Sequence, residues 1–191
     1  MEPADAKELI DEAIEETERS ESAERAKEKV FRDRVSILVG LFAVLLAVIH
    51  VEAASSARES VLKTVDASDT YAYMEAKIIR ETIVKTIART PSFDAQERAD
   101  MLKEAGRLRN PDPSGHGIVQ LQEKADDLRK EGEMSSKKGE WYELAETAMQ
   151  VAIVLLSIAL VARSWAIVAG AVSLAGIGAV LALATASGLL L

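Results

Sequence analysis

The stretch TAMQVAIVLLSIALVARSWAIVAGAVSLAGIGAVLALATASGLLL, residues 147–191, decides how this chain is read. It holds one ionisable side chain, Arg163, which divides it into two apolar segments with almost no connection between them. A membrane span needs roughly 20 consecutive apolar residues, so the pair predicts a transmembrane helical hairpin. Trp141 and Tyr142 precede the first of these segments and Trp165 opens the second. Aromatic side chains suit the boundary between hydrocarbon and water, and Trp141 to Trp165 would cover ~36 Å as helix. A third apolar run, VSILVGLFAVLLAVIHV (35–51), lies far upstream. As helix it would span ~26 Å, enough for a slightly thinned bilayer.

The rest of the chain is very different material. The mean hydropathy is close to zero only because hydrocarbon-like runs are averaged with highly charged ones. The formal charge is −8 over 191 residues. Residues 1–24 are strongly acidic. Arg25, Lys27, Lys29, Arg32 and Arg34 then form a basic patch just ahead of the first run. With no long basic stripe, binding to nucleic acid is excluded, because a phosphate backbone demands clustered cations. The chain has no Cys, which removes disulfides, thiolate metal sites and a Cys nucleophile. The arm reads as a charged, solvated helix whose early apolar anchors are Leu9, Ile10 and Ile14.

Between Val51 and Pro91 there is neither Gly nor Pro, so the helix begun in the first run is expected to continue to about Arg89. Leu62, Val65, Ala72, Ala76, Ile79, Ile83 and Ile87 recur at steps of three and four and predict the packed face of that helix. Asp69 interrupts the stripe. It is read either as part of a fixed polar cluster that sets register, or as the place where the stripe opens to solvent.

Pro91 ends the helix, and Ser92 or Asp94 can cap a second one running to about Arg109, with Ala95, Ala99, Leu102 and Ala105 as its stripe. NPDPSGHG (110–117) must be a loop. A return helix follows on Ile118, Leu121, Ala125 and Leu128, and SSKKG (135–139) is its expected weak point.

Lipid provides no hydrophobic force between helices, so small residues that allow close backbone approach matter. The last span offers Ala171, Ala175 and Ala179 as one row and Gly178, Ala182 and Ala186 as another. Two rows on different faces would serve the hairpin and a neighbouring subunit separately.

Residues with potential chemistry are few. His50 lies two residues before Glu52, but positions two apart do not share a helix face, so it is read as an interfacial His. His116 is read as a turn residue. Gln150 and Ser157 are polar positions within a span that more often bond a neighbouring helix or a backbone carbonyl than line a pore. No nucleophile–base pair, phosphate-cradling glycine loop or metal-ligand spacing is found in the sequence.

The runs ASDTYAYMEAKIIRETI (67–83) and GEWYELAETAMQVAIVLLSIALVARSW (139–165) resemble a bacterial membrane family known only as domain-of-unknown-function family 4337. The likeness rests on Asp69, Tyr71, Ala72, Tyr73, Ala76, Lys77 and Arg80, then on Trp141, Tyr142, Glu146, Arg163 and Trp165. Tyr71 stands where the family often has Trp, and the turn carries one Arg rather than several. The resemblance implies three spans and a long connecting domain, with no activity.

The expected architecture is an all-α integral membrane protein. Residues 1–34 form a cytoplasmic arm and 35–52 the first span. Residues 53–140 form an extramembrane helical hairpin, and 141–191 the hairpin of the second and third spans. The Lys and Arg bias around 19–34 and Arg163 predicts a cytoplasmic N-terminus, and the resemblance implies a bacterial inner membrane. Arg34, Trp141, Tyr142, Arg163 and Trp165 are expected at the membrane interfaces. Asp69, Tyr71, Tyr73, Lys77 and Arg80 are expected in helix packing, with the small residues of the last span. The expected function is a non-enzymatic oligomeric scaffold, without cofactor or small-molecule substrate, whose partners are the bilayer and further copies or other membrane proteins. An accessory subunit of a larger membrane complex and a channel or transporter component are the alternatives.

Overall fold

The computed structural model describes residues 3–190, with side chains described at residue 19 and from 21 onward. The described residues form four α-helices and no strand: α1 Pro3–Ile87, α2 Ala95–Arg109, α3 Ile118–Ala162 and α4 Trp165–Ala186. The expected arm and first span are therefore one uninterrupted helix with the connecting segment. Leu9, Ile10 and Ile14 lie outside the described side chains. Segments of α1, α3 and α4 are long and apolar enough to cross a membrane. Two compact units are built from these helices, one from Met1–Val51 with Trp141–Leu189, the other around Glu52–Glu140.

In the first unit the inward positions repeat at three and four residues, as helix packing requires. From α1 they are Phe31, Val35, Phe42 and Ile49; from α3, Ala145, Met149, Ala152, Leu156 and Ala159. From α4 they are Val168, Ala171, Ala175, Gly178 and Thr185. Ala171, Ala175 and Gly178 thus share one buried seam, with Ala179 and Ala182 half-buried beside it. The two rows expected on different faces are corrected to this single seam, because 3.6 residues per turn carries 171, 175, 178 and 182 along one line. A Cβ on Gly178 would stand 3.0 Å from the Ala145 carbonyl oxygen and 3.3 Å from the Ala148 Cβ, so α3 and α4 meet there at backbone distance.

The connection between α3 and α4 is two residues long. Arg163 takes φ 51°, a left-handed conformation unusual outside glycine, and Ser164 returns to extended backbone. Two tethers hold this turn to α1. Arg163 pairs with Glu28 at 2.6 Å, and Trp165 meets Phe31 edge to face with centroids 5.0 Å apart.

The second unit is an antiparallel hairpin of α1 and α3 with α2 at its closed end. α1 turns inward Ala53, Ser56, Ala67 and Glu81, with Ser60, Lys63, Thr70, Met74, Lys77 and Val84 half-buried between them, and Ala88 is buried just past its end. The face is small and polar. Opposite stand Ile118, Leu121, Ala125, Gly132 and Gly139 of α3. A Cβ on Gly132 would come within 3.2 Å of the Thr64 hydroxyl oxygen and 3.4 Å of the Ser60 carbonyl oxygen. One on Gly139 would be 3.7 Å from the Ser56 Cβ.

Three expectations are corrected here. The apolar stripe of α1 is not its packed face: Leu62, Val65, Ile79 and Ile83 are 54%, 50%, 60% and 52% exposed. Close approach through Ser, Ala and Gly turned the bulky face outward. SSKKG does not weaken α3, which runs through it; Gly139 meets α1 there rather than ending the helix. In α2, Ala95, Ala99 and Leu102 are exposed, while Ala105 is buried and Met101 and Leu108 are half-buried.

Gly178→Leu is expected to destabilise the protein in mild detergent by about 1–3 kcal/mol, the usual cost of overpacking. Gly176→Leu is expected to leave the melting transition nearly unchanged, since nothing lies within 4 Å of a Cβ there. Equal effects of the two substitutions would contradict the assigned α3–α4 seam.

Candidate interaction site

Of the residues singled out from the sequence, five lie on α1 within 69–80, and four of these reach across to α2, α3 or the loop before α3. Tyr71 donates its hydroxyl to Asp126 of α3. This bond, with burial, pushes the phenol above its ordinary range. The Tyr73 ring meets the His116 imidazole edge to face at 5.9 Å. Lys77 donates to the His116 carbonyl and stands 5.4 Å from the Tyr73 centroid. Arg80 pairs with Glu104 of α2 at 2.7 Å. Asp69 is exposed and has no hydrogen-bond or ion-pair partner among the described residues. The motif is therefore a clasp on the loop, with Asp69 left outside it.

The loop has its own order. Asp112 accepts from the His116 amide at 2.9 Å and from the Ser114 hydroxyl at 2.7 Å, which together hold its carboxyl below the usual range. Gln120 accepts from the amides of Asp112 and Gly117 at 3.0 and 3.1 Å, and donates back to the Asp112 carbonyl. Gly115 takes φ 74°, and a Cβ on Gly117 would overlap the Asn110 carbonyl, so both positions demand glycine. At the other turn Asp94 caps α2 in a reciprocal box with Glu97, and Arg98 donates to the Pro91 carbonyl.

Beneath the clasp lies a feature that the sequence reading missed. Glu81 is 2% exposed and accepts two bonds of 2.8 Å from Arg109 and one of 2.6 Å from Lys85. The Arg109 bonds, opposed by burial and aided by Lys85, hold its carboxyl at about 2. A Glu in an acid-rich helix gives no local signal of this. Only its place in the small, inward-facing row marks it out.

In the first unit, His50 Nδ1 lies 3.1 Å from Glu146, which also accepts from Gln150 at 2.9 Å. The partner of His50 is thus 96 residues away rather than Glu52. The ends of the two apolar runs could have pointed to it, since His50 is the last polar residue within the first run and Glu146 immediately precedes the second. Ser157 bonds the Ile153 carbonyl of its own helix. Tyr142 is buried, Trp141 half-buried, and Arg34, Arg163 and Trp165 exposed. Among the described residues no group of three or more His, Asp or Glu side chains could hold a metal ion.

The Glu81 carboxyl is depressed from 4.5 to about 2, so the unfolded chain binds the proton first as pH falls. Its stabilisation is complete above about 4.5 and is lost between there and about 2. Thermal melts of the detergent-solubilised protein across this window should show that decline. The Glu81→Gln variant should start lower at neutral pH and lose less on acidification; an unchanged slope would remove Glu81 from the account.

No curated protein matches the chain, and no solved structure does either. Residues 31–188 match the family described as Domain of unknown function (DUF4337), which covers both units and leaves out the N-terminal part of α1. With the clasp residues and the α3–α4 turn inside the matched region, the chain belongs to the DUF4337 family.

Proposed function

We propose that this is a non-enzymatic, multi-pass membrane protein of a bacterial inner membrane, acting as an oligomeric scaffold through its helical hairpin. The observation that carries the reading is the apolar face of α1, Leu62 to Ile83, which the hairpin leaves uncovered. Leu62, Val65, Ile79 and Ile83 leave large apolar side chains half exposed along one face, and aligned exposure of this kind supports an interaction surface. Three helices long and apolar enough to cross a membrane support the location. In this reading they span the bilayer, with the hairpin around Glu52–Glu140 outside it.

Glu146, Gln150 and His50 answer one another, and Ser157 bonds its own helix. That use of the polar side chains favours structure over a conducting path. The basic patch at 25–34 and Arg163 favour a cytoplasmic N-terminus by the positive-inside rule.

Because the chain has no Cys, a single Ser114→Cys substitution gives a clean topology probe. A membrane-impermeant maleimide should label it from outside intact spheroplasts; protection there would reverse the orientation. Native extraction tests the role: a defined homo-oligomer supports the scaffold, while a monomer that co-purifies with other proteins would make the chain an accessory subunit.

A further inference from the structure

The outward face of α1 has an internal order that goes beyond mere exposure. Leu62, Val65, Asp69, Ala72, Ala76, Ile79 and Ile83 step by three and four, a repeat of 3.5 residues held for three heptads. Ala67, Met74 and Glu81, which face the hairpin interior, stand midway between its turns on the opposite side of the helix. A 3.5-residue repeat keeps facing one neighbour only if that neighbour is another helix, wound with it. Resting on the oligomeric membrane reading above, we propose that residues 62–83 of α1 form a parallel, in-register coiled coil with α1 of a second copy of this chain.

Three features select that occupant. The first is direction: copies inserted the same way in one bilayer run α1 in the same direction, so only a parallel pairing is open to them.

The second is charge. In a parallel, in-register pair the residue flanking one end of a heptad meets the residue five further on in its neighbour. Glu75 and Arg80 stand in that relation, so each Glu75 meets the partner subunit's Arg80, twice across the two-fold axis. Glu75 has no ion-pair partner among the described residues. Arg80 is exposed, and its bond to the exposed Glu104 leaves further donors on the guanidinium free.

The third feature is Asp69. A single polar residue at a core position fixes register and favours two strands, at a cost in stability. Here it brings two carboxylates face to face. The small Ala72 and Ala76 layers next to it let the helices close. The association is consequently reversible, and Asp69 is the residue that sets its strength.

The test uses full-length protein in mild detergent, with association measured by sedimentation and helicity by circular dichroism. Ile79→Glu with Ile83→Glu changes side chains that are exposed in the single chain, so helicity and melting should hold while the association weakens at least ~100-fold. Asp69→Leu removes the like-charge layer and should tighten it about tenfold or more. Ala76→Cys, the only Cys of its variant, should form a disulfide-linked dimer on mild oxidation, while Leu102→Cys on α2 should not. If the protein is an oligomer that neither the Ile79/Ile83 variant nor Asp69→Leu alters, this seam is wrong and the scaffold reading survives. If the parent chain is monomeric in native extracts and stays so after Asp69→Leu, both fall.

Discussion

The constraint on which the second unit depends is the distance between two backbones. Ser56, Ser60 and Ala67 on α1 and Gly132 and Gly139 on α3 allow the helices to approach until side-chain atoms of one nearly touch the main chain of the other. Across from Gly132 and Gly139 there is no room for a bulky side chain, and Leu62, Val65, Ile79 and Ile83 sit on the far side of α1. Burial of small side chains removes little apolar area from water, and the hydrophobic term scales with that area. Stability must then come from bonds across the hairpin, and the polar ones are many: Lys63 to Glu131, Tyr71 to Asp126, Lys77 to the His116 carbonyl, Arg109 to Glu81.

Glu81 shows how such a seam uses charge. A carboxylate taken out of water costs more than a single ion pair returns unless its oxygens are well bonded. Arg109 supplies two parallel bonds and Lys85 a third, so the carboxylate is compensated where it sits. The two cations keep their own ends near solvent, which spares the structure a second buried charge. The arrangement ties the last residue of α2 to α1, and with it the start of the loop that α1 clasps.

The helices were legible because their signals are local. Apolar runs, the Pro91 stop, the Asp94 cap and the NPDPSGHG loop each act within a few residues. Which face of α1 turns inward was not legible, because periodicity finds the apolar stripe but cannot say whether the neighbour covering it belongs to the same chain. The motif residues Tyr71, Tyr73, Lys77 and Arg80 share one stretch of sequence, yet their targets Asp126, His116 and Glu104 lie 24 to 55 residues on and follow from topology alone. Gly139, in SSKKG, misled for a related reason: in sequence a glycine looks like a weak point, and whether it is one depends on what lies across from it.

Gln120 has a kinetic consequence. Its one side chain amide bonds both ends of the 110–117 loop, over separations of only three and eight residues. Contacts so short in sequence close fast, because little chain entropy is lost in forming them. The loop and the first turn of α3 can therefore assemble together before α1 and α3 meet. Once closed, they shorten the effective chain between Tyr71 and Asp126, so the long-range pairing starts from a folded corner instead of a free coil.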